Sequence, residues 1–119
     1  MKKFCFILLA AMMSFPAFAN KTSVEISAPG SVKKGGEAVI KITVSHKGNS
    51  ASHFTESVKL SVNGKESAVW KYSSKNLPPS ETFTLEKKIV VNGDTVIEAE
   101  GSCNIHGSAG PKKVTIKAQ

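Results

Sequence analysis

The chain has 119 residues, with 16 basic residues against 9 acids and three histidines. All the basic residues are lysines, placed singly or in pairs, so the guanidinium forks and interleaved aromatics of a nucleic-acid interface are missing. There is chain for one domain with a modest core, and no G-x-S-x-G, phosphate-cradling loop or H-E-x-x-H to suggest a serine hydrolase, a nucleotide enzyme or a zinc protease.

In chain order, residues 1–19 read first as a secretory signal peptide. Lys2 and Lys3 form its basic start, an apolar run follows, and Ala17-Phe18-Ala19 supplies small residues at the −3 and −1 positions. The apolar stretch from Phe4 to Met13 is too short to span a bilayer comfortably, so no stable membrane anchor is expected once it is removed. Cleavage after Ala19 predicts a periplasmic domain over residues 20–119. All three methionines and Cys5 leave with the leader, and Cys103 stays as the lone thiol.

The remainder alternates with period two. Val24 and Ile26 predict a first strand before Pro29-Gly30. Ala38, Ile40, Ile42 and Val44 form the apolar face of a second strand, and Val58, Leu60 and Val62 that of a third. Asn63-Gly64 predicts a hairpin turn, since both residues tolerate positive φ, with Ala68, Trp70 and Tyr72 on the returning strand. Asn76-Leu77-Pro78-Pro79-Ser80 cannot join a ladder and predicts a rigid connection. Phe83, Leu85 and Ile89–Val91 make another strand, Asn92-Gly93-Asp94 a turn, and Ile97, Ala99 and Gly101 an inward-facing set. Val114, Ile116 and Ala118 make the last strand. The expected fold is all-β: an immunoglobulin-like antiparallel β-sandwich of about seven strands.

The reactive residues gather at strand ends. His46 keeps the parity of Ala38–Val44, and Cys103 keeps that of Ile97–Gly101, so both point toward an end of the sandwich. His53 closes the loop HKGNSASH, whose small polar residues can wrap around a point. In CNIHG, residues 103–107, a thiolate and the His106 imidazole lie three residues apart. A thiolate with imidazoles suits iron, copper or zinc rather than calcium or magnesium. A lone cysteine is also compatible with simple burial as a small hydrophobe. Service as a nucleophile with His106 as base is disfavoured, because no helix dipole is at hand to acidify the thiol.

CNIHG resembles the metal-binding motif of superoxide reductases, the desulfoferrodoxin and neelaredoxin family. The paired His46 and His53, VNGKE at 62–66 and the final strand after a Gly/Pro loop are similar too, over about Val32 to Lys117. The resemblance implies an immunoglobulin-like domain holding one iron between its ferrous and ferric states. Cys103 would be the axial thiolate and His46, His53 and His106 equatorial nitrogens. Superoxide would be the small-molecule substrate, reduced by one electron to hydrogen peroxide.

Three departures are visible. The family's fourth histidine, from an early Glu-Lys-His segment, is missing together with that glutamate and lysine. Lys47 stands where proline is common and is the expected catalytic cation near Cys103. The loop between His46 and His53 is one residue longer than usual. With no C-x-x-C, the electron must come from a separate exported donor protein; a homo-oligomer is admitted. Copper is the second metal, in a non-enzymatic electron-transfer protein resembling cupredoxins, although residues 20–119 hold no methionine to serve as its usual weak ligand. A third reading is a binding sandwich with a vestigial site.

Overall fold

The computed structural model describes residues 21–119, so the signal-peptide reading of residues 1–19 lies outside the described residues. Eight strands follow one another: β1 Ser23–Ser27, β2 Ser31–Val32, β3 Gly36–Ser45, β4 Thr55–Val62, β5 Lys65–Lys71, β6 Thr82–Val91, β7 Thr95–Cys103 and β8 Lys112–Ala118. They form a three-stranded sheet, β1-β3-β6, and a five-stranded sheet, β2-β8-β7-β4-β5. The all-β sandwich is as expected. The strand beyond the expected seven is β2, two residues paired parallel to β8 through Ser31↔Lys117 and Val32↔Ala118. Two residues carry no periodicity, so the sequence does not announce it.

Alternation sets the two inner faces. Along β3, Ala38, Ile40, Ile42 and Val44 are buried while Glu37, Val39 and Lys41 are exposed. Facing them, Val58, Leu60, Ile97, Ala99 and Ile116 close the core from the second sheet. Burying each of the larger aliphatic side chains contributes about 1.5–3 kcal/mol. The β4–β5 hairpin turns on Asn63 (φ 51°) and Gly64 (φ 81°), both in the left-handed region that a two-residue turn of this kind requires. A register shift beyond Leu60 then displaces β5 by one residue. Tyr72 lies past the end of β5 and packs edge-on to Phe83, ring centroids 5.7 Å apart.

The ends of β3 and β7 share one pole because Thr22 joins the sheets there. Its amide donates to the Gly107 carbonyl at 3.3 Å, its carbonyl accepts from Ala109 N at 2.9 Å, and its buried hydroxyl meets that of Thr55 at 2.8 Å. This close approach explains Gly101. A Cβ there would meet Thr22 Cγ2 at 2.6 Å and Val24 Cγ1 at 3.3 Å. Both neighbours are β-branched and buried, and neither swings away easily. Gly101→Ala is therefore expected to destabilise the protein by about 1–3 kcal/mol, read as a lowered midpoint in urea at unchanged m-value. An unchanged midpoint would mean that β1 shifts freely over β7.

Candidate metal centre

His46 follows directly on β3 and keeps its inward parity, with 2% of its surface exposed. Its backbone amide donates to the Glu81 carbonyl at 2.8 Å, which fixes the chain as it leaves the strand. Gly48, at φ 72°, lets the loop turn back. Ser50 and His53 then exchange two backbone hydrogen bonds, 2.8 and 3.2 Å, and this tight reversal presents the His53 ring. On the other side, Cys103 is the last residue of β7 and is buried. Cys103 and Gly107 also exchange backbone hydrogen bonds, 2.9 and 3.1 Å, closing CNIHG into a small ring of chain. Gly107 completes it at φ 75°. Within the ring the amides of Ile105 and His106 both donate to Cys103 Sγ at 3.4 Å.

The donor atoms converge. His46, His53 and Cys103 each offer one ligand atom, and the three lie within 4.8 Å of one another. His46 Nε2 faces His53 Nε2 at 3.3 Å, and His53 Nε2 faces His106 Nδ1 at 3.1 Å. The rings meet edge to face, with centroids 4.7 and 4.8 Å apart. Two nitrogens bound at right angles to one ion, each about 2.0–2.1 Å from it, lie about 3 Å apart. The observed spacings match that separation, so the imidazoles fit a transition-metal ion. Burial is the first cause holding the His46 pKa below 6.5; the facing His53 and His106 add to it, and the bond to Asn49 and the charge of Glu81 oppose it. The neutral imidazole this favours is the ligating form.

Two asparagines hold the loops in place. Asn104 Oδ1 accepts from Phe54 N at 2.9 Å, its Nδ2 donates to the Ser52 carbonyl at 3.2 Å, and its amide donates to the Phe54 carbonyl at 3.0 Å. CNIHG is thereby stitched to the chain on both sides of His53. Asn49 Oδ1 lies 2.9 Å from His46 Nδ1 and accepts from Thr55 N at 3.0 Å, while its Nδ2 donates to the Ser80 carbonyl at 3.1 Å. In the sequence Asn49 is one of the small polar residues of HKGNSASH, and Asn104 lies within CNIHG. Asn49 reaches Ser80 across 31 residues, and Asn104 reaches Phe54 and Ser52 across 50 and 52, and no local pattern signals such contacts.

Of the five sequence-level roles, the structure brings His46, His53 and Cys103 into one tight group, and His106 joins it through His53. Lys47 is exposed in the turn after His46. Its ammonium makes no hydrogen bond or ion pair among the described residues.

The desulfoferrodoxin family model matches residues 17–108, ending one residue past CNIHG. One structure of the superoxide reductase (neelaredoxin) from Ignicoccus hospitalis is 20% identical, with a TM-score of 0.70, over 85% of this chain and 83% of that one. A candidate superoxide reductase from Thermotoga maritima is 20% identical, TM-score 0.62, over 82% and 86%. The CARDB domain of a Pyrococcus furiosus protein, solved with di-metal ions, is 17% identical, TM-score 0.62, over 89% and 95%. No curated protein sequence matches the chain. At these identities the solved structures speak for the fold, and the family match, over more than three quarters of the chain, places the protein within the desulfoferrodoxin family.

Proposed function

We propose that the protein is an exported, mononuclear iron protein that reduces superoxide to hydrogen peroxide in the periplasm. The observation that carries this reading is the convergence of one sulfur and three ring nitrogens at one pole, in a chain of the desulfoferrodoxin family. Cys103, His46, His53 and His106 would hold the ion. Ferrous iron would supply one electron to superoxide, and two protons complete hydrogen peroxide. Copper suits the same donors, and family membership is what favours iron.

The chain's own residues contribute binding and charge. The amides of Ile105 and His106 hydrogen-bond the Cys103 sulfur and so would tune the ion it binds. Lys47, exposed one residue from a ligand, together with a net charge of +5 on residues 20–119, draws in a small anion. The electron comes from a separate exported donor protein, since Cys103 is the only cysteine after the leader and cannot build a second thiolate centre.

The test is elemental analysis of protein purified without oxygen from its native compartment, followed by addition of superoxide. The expected result is one iron per chain and peroxide formed without release of oxygen. Another resident metal, or oxygen released with the peroxide as in dismutation, would overturn the reading.

A further inference from the structure

Among the described residues, His46 is the one candidate ligand that Asn49 hydrogen-bonds, and its amide decides which nitrogen of that ring is free. Asparagine oxygen and nitrogen are told apart by their partners. Thr55 N–H can only donate, so the atom facing it at 3.0 Å is the oxygen. The Ser80 carbonyl can only accept, so the atom facing it at 3.1 Å is the nitrogen. Both contacts give the same assignment. His46 Nδ1, 2.9 Å from that oxygen, must therefore carry a hydrogen and donate it. A neutral imidazole with its hydrogen on Nδ1 has a bare lone pair on Nε2, and Nε2 is the atom that faces His53.

We propose that Asn49 is a positioning residue that locks His46 in the Nδ1–H tautomer and aims its Nε2 lone pair at the metal position before any ion arrives. The inference rests on the metal-site reading above. The amide is suited to the task because it is itself pinned from two directions, at the first residue of β4 and at the connection leading into β6. Among the described residues, Asn49 is the one hydrogen-bond partner of His46 Nδ1. Without it, the ring could hold its hydrogen on either nitrogen and rotate. An ion would then meet a ring that is only partly in the ligating tautomer and no longer held in place.

The experiment compares the folded protein over residues 20–119 with its Asn49→Ala and Asn49→Asp variants, without metal at pH 8. Ring nitrogen shifts of His46 are read by NMR, and cobalt(II) alone is titrated in parallel. Asn49→Asp keeps an oxygen for Nδ1–H and Thr55 N–H but loses the donor to Ser80. The wild type and Asn49→Asp are expected to show protonated Nδ1 and bare Nε2, with cobalt affinities within about threefold. Asn49→Ala is expected to show mixed tautomers and to bind cobalt about 10–100-fold more weakly. A wild-type ring carrying its hydrogen on Nε2 overturns the proposal, even if Asn49→Ala fails to fold. So does Asn49→Asp losing as much affinity as Asn49→Ala, since the tether to Ser80 would then be the whole effect. A wild type that binds no cobalt while showing the Nδ1–H tautomer sinks the metal-site reading and leaves the lock standing.

Discussion

Cys103→Ser is expected to abolish the thiolate-to-iron absorption band of the oxidised protein and to take peroxide formation below detection. The substitution is conservative for the fold. The hydroxyl is smaller than the thiol, sits in the same buried position, and can still accept the Ile105 and His106 amides that now point at sulfur. The chemistry is not conserved. A serine hydroxyl is a far poorer ligand for such an ion than a cysteine sulfur, and a neutral oxygen pushes little electron density onto it. Iron binding is expected to fall on the order of a hundredfold, because a ligand is lost rather than a supporting contact. Far-ultraviolet circular dichroism separates this outcome from misfolding. A variant that keeps the band would show that Cys103 is not a ligand.

His53→Ala is expected to be the most damaging of the histidine substitutions. His53 Nε2 is the atom that both other imidazoles face, at 3.3 and 3.1 Å, and His106 reaches the group through it. Its removal separates His106 from His46 and leaves a gap in the middle of the donor set. Metal affinity measured by competition with a chelator is expected to drop a hundredfold or more, on the order of a lost ligand, against roughly tenfold for His106→Ala at the edge. His53 is half-buried and outside the core cluster, so the fold is expected to survive. Equal losses for the two variants would mean that the chain of contacts is not the order of importance, and a loss of only a few-fold for His53→Ala would remove it from the site.

His46 and Cys103 were legible because strand side chains alternate. Each continues an unbroken inward parity, and each is buried as that parity requires. The Asn63-Gly64 hairpin was legible because its backbone demands residues that accept positive φ. The remainder depended on which strands pair. Thr22 reads as an ordinary polar residue until β1 is laid over β7, when it becomes the reason for Gly101 and the bridge between Gly107 and Thr55. The parallel β2–β8 pairing and the contact of Asn49 with Ser80 are set by the same long-range placement, and the order of the three imidazoles only by the loops' final shape.

Thr22 also has a practical consequence. The chain enters the described fold within two residues of a contact with the CNIHG turn. Its other terminus, Gln119, hydrogen-bonds to Val32 beside the start of β7, a full strand length of about 25–30 Å from Cys103. An affinity handle joined ahead of Lys21 would crowd the donor atoms, whereas one appended after Gln119 would leave them clear. Metal content measured on protein tagged at the front would then report on the tag as much as on the site.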